Sequence, residues 1–210
     1  MQRRVASMVL VLLLTALTND VGAQEVSRGP WTISAGLSVA AVMGESDWTV
    51  SHPFYGNGGV TWETLRGTVS HGLHFQGSVE VRRKYVGVRG RVGILGQEFT
   101  QEASEQSKDL RLLLGGLSAV LYPFAGSATR LEPYFALEAG GQKATGDMDN
   151  TGFYLSASSG FRTRLSSRIS LDGGIELHRL KYAQVDLGNS IEKDLHVTPL
   201  SLFVGLRIGG

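Results

Sequence analysis

Residues 152–181 (GFYLSASSGFRTRLSSRISLDGGIELHRLK) constrain this chain more than any other stretch. They read as two strands around a tight turn at Leu165-Ser166-Ser167-Arg168. In the first strand Phe153, Leu155, Ala157, Ser159 and Phe161 alternate with Tyr154, Ser156, Ser158, Gly160, Arg162 and Arg164. In the second, Ile169, Leu171, Gly173, Ile175 and Leu177 alternate with Ser170, Asp172, Gly174, Glu176 and His178. Successive strand side chains point to opposite faces, so this period-2 pattern gives each strand one apolar and one polar side. Strands of globular proteins run about 5–6 residues, whereas a tilted transmembrane strand needs about 9–11. The alternation here has the second length, which predicts a membrane-barrel hairpin.

The same signature recurs along the chain. Trp31–Ala41 puts Trp31, Ile33, Ala35, Leu37 and Val39 on one face, and His71–Arg82 does so with Leu73, Phe75, Gly77, Val79 and Val81. After a turn at Arg83-Lys84, Tyr85–Gln97 sets Val86, Val88, Val92 and Ile94 against Arg89 and Arg91. Asp109–Phe124 is a further strand whose Leu-rich run leaves its register open, with Gly115-Gly116 able to mark a bulge. Pro133–Ala144 and Leu195–Ile208 follow the same rule. Residues 43–70 read as a long irregular loop with a turn signal at Gly56-Asn57-Gly58-Gly59. Residues 98–108, 146–150 and 183–194 read as polar loops, and 125–132 as a turn. Eight strands with connections alternating long and short describe an all-β, eight-stranded antiparallel up-and-down transmembrane β-barrel, short turns periplasmic and long loops extracellular.

Residues 1–23 are read as a secretory signal peptide: Arg3 and Arg4, the apolar run Val9–Leu14, and Val21-Gly22-Ala23 before Gln24. The barrel domain is then 24–210. With no cysteine, the exported chain has neither disulfides nor a lipoprotein site, and a closed barrel supplies stability by pairing every strand on both sides. A formal net charge of +1 opposes nucleic-acid binding.

Alternation alone does not say which face is wet. A soluble lipocalin-like barrel would put the apolar face inside, and Gly29-Pro30-Trp31 has a matching shape. Against it, the polar faces carry both signs of charge: Glu80, Arg82, Arg89, Arg91, Glu138, Arg162, Arg164, Asp172 and Glu176, with Arg207 a further candidate. Eight strands enclose a space that side chains just fill, and opposite charges packed there can pair. These residues are therefore expected to form a lumenal charge network.

The stretches Leu121-Tyr122-Pro123-Phe124, Pro133-Tyr134-Phe135-Ala136-Leu137 and Gly160–Leu171 resemble the OmpA-like and OmpX-like small outer-membrane β-barrel domains. The resemblance implies residence in the bacterial outer membrane and contact with its lipid and lipopolysaccharide. It also implies handling by periplasmic chaperones and the barrel-assembly machinery. Such proteins end on an aromatic residue; this chain ends Arg207-Ile208-Gly209-Gly210, and Phe203 is the candidate substitute. No peptidoglycan-binding domain is read after the barrel.

The remaining chemistry is thin. Asp47, Ser51, His52, Ser70 and His71 lie in or beside the first loop, but a nucleophile needs a base within hydrogen-bond reach. Residues 146–150 (GDMDN) lack the distal Glu of a calcium loop. Gly87–Gly93 is Gly-rich but opens no helix. His178 and His196 show no partner at metal-ligand spacing. The expectation is a monomeric structural or surface-interaction barrel without catalysis, cofactor or metal, with Trp48, Phe54, Tyr55 and Trp62 as a loop contact surface. A narrow solute channel, a lipid A-modifying enzyme and a soluble ligand-binding barrel are the alternatives.

Overall fold

The computed structural model describes residues 31–56, 59–101, 107–125, 130–146, 150–182 and 195–209. Residues 1–23, read as a signal peptide, lie outside these, as do Asp147–Asp149 and 183–194. The strands are β1 (Thr32–Met43), β2 (Glu45–Gly56), β3 (Gly59–Arg83), β4 (Val86–Gln101), β5 (Ser107–Leu121), β6 (Leu131–Gly146), β7 (Asn150–Arg164), β8 (Ile169–Tyr182), β9 (Leu195–Val197) and β10 (Leu200–Gly209). All pairings are antiparallel.

β1 pairs with β10 on one side and β3 on the other, which closes the ring β1-β3-β4-β5-β6-β7-β8-β10. This is the eight-stranded up-and-down barrel that the sequence predicts. The turn at 165–168 falls where expected, its Leu165 and Ser166 amides donating to the Ile169 carbonyl.

The apolar face looks outward. Leu37 is 75% exposed, Leu137 69% and Val92 67%, while Glu80 and Glu176 are 1% exposed. Ile169, Ile175 and Leu177 also lie on the outer wall. A soluble ligand-binding barrel requires the reverse. The outward apolar run of β8, Ile169–Leu177, spans about 27 Å along the strand. At the usual tilt that is about 20 Å of membrane thickness, close to the apolar band of outer-membrane barrels.

Three local expectations need correction. Residues 45–70 are not an irregular loop: β2 and the first half of the 25-residue β3 form a regular hairpin, from Glu45↔Ser70 to Gly56↔Gly59. Gly115-Gly116 marks no bulge, because β4 and β5 pair without interruption from Val86↔Leu121 to Thr100↔Ser107. The irregularity lies instead between His71 and His74 of β3. Finally, the last strand is split at Thr198-Pro199. Proline has no N–H for the ladder, and the Pro199 carbonyl accepts instead from the His178 amide at 3.0 Å.

Candidate functional site

Inward side chains fill the barrel in two sections. Toward the short-turn end, five arginines (Arg82, Arg89, Arg91, Arg162, Arg207) meet five carboxylates (Glu80, Glu132, Glu138, Asp172, Glu176). The signs balance among these described residues, which is the condition for keeping ions in a low-dielectric interior.

Some pairs follow from strand register alone. Glu80 stands opposite Arg89 across the β3–β4 hairpin, and Arg162 opposite Asp172 across β7–β8. Their ion pairs measure 2.9 Å and 2.8 Å. Others cross the lumen. Arg162 reaches Glu80 at 3.1 Å, and Arg91 bridges Glu138 (2.8 Å) and Glu176, while Arg207 reaches Asp172 at 3.1 Å diagonally between the neighbouring strands β10 and β8. Neutral donors take remaining lone pairs. Tyr122 Oη donates to Glu80 at 2.5 Å, Tyr154 Oη to Glu138, Ser118 to Glu138 at 3.2 Å and Ser156 to Glu176 at 2.7 Å. At the short-turn rim Arg82 binds Glu132 through both terminal nitrogens at 2.5 Å and lies 3.6 Å above the Tyr122 ring. Bidentate geometry of this kind is the strong form of the arginine–carboxylate pair.

Two assignments from the sequence change. Arg164 is exposed at the end of β7, beyond the lumen, because the strand ends there and its side chain reaches the rim. Glu132, read as part of a turn, joins the network because β6 starts at Leu131 and sets Glu132 opposite Arg162. Extending the alternation of Tyr134 and Glu138 by one step would have found it. Phe203, the candidate assembly signal, faces inward and packs on the cluster of Val120, Tyr122, Ala125, Tyr134 and Ala136.

The section toward the long loops is apolar inside as well as out. Val69, Leu95, Phe99, Leu110, Leu112, Leu114, Ala144, Leu180 and Val197 are buried together. Sequence reading missed this seal because the Leu-rich run of β5 has apolar residues on both faces: Leu110, Leu112 and Leu114 point in, Leu113 and Leu117 out. Among the described residues the ionic section encloses a cavity of about 20 Å³, lined by Gln76, Ser78, Arg89, Arg91, Asp172 and Arg207 among others. That is room for about one water.

Between the sections, His74, Glu176 and His178 place ligand atoms within 4.8 Å of one another. The sequence showed no such set, since His74 and His178 belong to distant strands. Two imidazoles and a carboxylate suit a transition metal. The electrostatics oppose one here. Glu176 already serves Arg91, Ser156 and Gln76, and the balanced network leaves no surplus negative charge for a dication.

Among the described side chains the hydrolase candidates do not assemble. His71 Nδ1 meets the Gln97 amide at 2.9 Å and its Nε2 lies 3.4 Å from Ser46 Oγ, with no carboxylate bonded to the ring among the described residues. Asp47 is paired with Thr68 across the hairpin and is exposed. The side chains of Ser51 and His52 lie outside the described residues. So do those of Trp48, Phe54, Tyr55 and Trp62. Their backbone places Trp48 and Phe54 at register positions on one face of the hairpin, and Tyr55 and Trp62 on the other.

No protein family matches the sequence, and neither does any curated protein. Solved structures do. The outer membrane protein OprG from Pseudomonas aeruginosa is 13% identical, with a TM-score of 0.59 over 86% of this chain and 95% of that one. The outer membrane protein AlkL, solved in lipid bilayers, is 17% identical, with a TM-score of 0.58 over 92% and 96%. Neisserial surface protein A is 15% identical, with a TM-score of 0.51 over 86% and 97%. The chain has the fold of the small outer-membrane β-barrels.

Proposed function

We propose that the chain is an integral outer-membrane protein that holds the β2–β3 hairpin above the membrane surface as a contact element, and neither conducts solutes nor catalyses a reaction. The closed interior carries this reading. A water-filled channel needs a continuous polar path, and the buried leucines of β5 with Leu95, Phe99 and Leu180 cross the lumen above the ionic section. A plugged eight-stranded wall can still serve as a rigid base, and β3 runs unbroken from that wall into the hairpin. The aromatics Trp48, Phe54, Tyr55 and Trp62 are the proposed contacts. In this reading the short-turn end faces the periplasm, the long-loop end faces outward, and the protein works as a monomer surrounded by lipopolysaccharide. Periplasmic chaperones and the barrel-assembly machinery deliver it.

The experiment has two readouts on one preparation. A peptide tag inserted between Asn57 and Gly58 should be reached by antibody on intact cells. The purified barrel in planar bilayers should show no steps above baseline. Open-channel steps would replace this reading with the narrow solute pore, and a tag reached only after permeabilisation would reverse the orientation.

A further inference from the structure

Lysine and arginine are unevenly distributed around the outer wall. Where the apolar band ends at the long-loop side, β5 presents exposed Arg111, β6 exposed Lys143, and β8 exposed Arg179 and half-buried Lys181. Each strand changes from apolar to basic in a single outward step: Leu113 to Arg111, Gly141 to Lys143, Leu177 to Arg179. The register makes them neighbours. Arg111 stands opposite Thr145, Lys143 opposite Leu113 and Thr151, Lys181 opposite Phe153, and Arg179 opposite Leu155. The Lys181 ammonium lies 5.7 Å from the Phe153 ring centre.

At the same edge the rest of the ring is uncharged or acidic, and its next cation, exposed Arg66, stands farther out on the hairpin arm of β3. β1 ends on Met43, β3 offers Ser70 and Thr68, β4 offers Glu98, and Thr198 precedes β10. On the outer face, Asp109 flanks Arg111 and stands opposite Glu98, at the β4 side of the patch. Cations gathered on one side are not a general device for anchoring a barrel, which would need them all round.

We propose that the outward patch formed by Arg111, Lys143, Arg179 and Lys181 is a binding site for the phosphate groups of one lipid A headgroup. This rests on the outer-membrane reading with the long loops outward. The location matches the chemistry. A cation beside the end of the hydrocarbon band meets lipid phosphates, in a medium less polar than bulk water, where charge-assisted contacts strengthen. Lys143 and Lys181 lie two inter-strand spacings apart and two residues off register, about 12 Å, a width suited to two phosphates on one headgroup. Thr151, opposite Lys143 on the intervening β7, offers a hydroxyl suited to a sugar phosphate.

The test uses the purified barrel in detergent, probed with bis-phosphorylated lipid A, monophosphoryl lipid A and phosphatidylglycerol by native mass spectrometry. The wild type should retain bis-phosphorylated lipid A at least tenfold better than phosphatidylglycerol. The triple variant Arg111→Gln, Lys143→Gln, Arg179→Gln should lose that preference while keeping its heat-modifiable gel mobility. The triple variant Arg83→Gln, Lys84→Gln, Arg168→Gln, altered at the other rim, should keep it. Equal retention of lipid A by the two variants overturns the proposal. So does equal retention of phosphatidylglycerol by the wild type, or displacement of lipid A by millimolar inorganic phosphate. A second arm re-tests each single variant if the triple one fails to fold; no loss in any of them has the same consequence. Orientation is read separately by the tag between Asn57 and Gly58, so a reversed barrel and an absent site give different results.

Discussion

Glu80 is the residue on which the ionic section turns. It takes Arg89, Arg162 and Tyr122 directly, with Arg207 at 3.8 Å. Removing one partner of a buried pair costs more than the pair is worth, because it strands the opposite charge. Glu80→Ala should therefore lower the unfolding free energy by about 3–5 kcal/mol, read from urea titration of the barrel refolded in vesicles. Arg164→Ala, which removes an exposed charge at the rim, should leave the midpoint unchanged. A Glu80→Ala midpoint equal to that of the wild type would show that water reaches these arginines. Two pairs of this network could be read in the sequence. Once the turns at 83–85 and 165–168 are placed, Glu80 must oppose Arg89 and Arg162 must oppose Asp172. The pairs across the lumen, such as Arg91 with Glu176, depend on how the ring closes, and no local pattern encodes that.

For single strands, two features show what alternation conceals. Gly116 and Gly140 pair across β5–β6, and a Cβ on Gly140 would meet the Gly115 carbonyl and the Tyr154 ring. The glycines make a seat for the tyrosine that donates to Glu138. Gly140→Ala should cost about 1–3 kcal/mol by overpacking, visible as a lower temperature for loss of the compact gel band. No change would mean that Tyr154 moves aside freely. The second feature is the β2–β3 hairpin. The β3 irregularity at Gly72-Leu73 leaves His71 and His74 both inward, so the pattern above it is out of phase with the pattern below. A period-2 reading that starts at His74 therefore loses the strand at that point, and residues 43–70 look irregular. Because that hairpin lies beyond the closed ring, replacing residues 48–66 with Asn-Gly keeps Asp47 beside Thr68 and all ring pairings intact. The shortened chain should fold with unchanged urea midpoint and lose whatever surface binding the full chain shows. Failure to form the compact band would make the hairpin part of the folding core.

Over the whole barrel, the outer wall carries one apolar band all round while the interior changes character along its length, ionic at one end and sealed by leucines at the other. The outward face was legible because every strand repeats it. The interior division was not, because a leucine facing inward on β5 and one facing outward look the same in a sequence. The division has a consequence for salt. At 0.15 M the screening length is about 8 Å, and screening acts through mobile ions, which cannot enter a cavity among the described ionic residues that holds about one water. Raising ionic strength from about 0.05 to 0.5 M should therefore move the unfolding free energy of the wild type by less than about 0.5 kcal/mol. The leucine seal enforces this. A Leu110→Ser, Leu112→Ser double variant opens the upper section, so ions gain access to Arg91, Glu138 and Glu176 and the unfolding free energy becomes salt-dependent. A wild-type barrel whose stability already falls steadily with salt would place its ion pairs in contact with solvent, and the channel would then regain its place ahead of the plug.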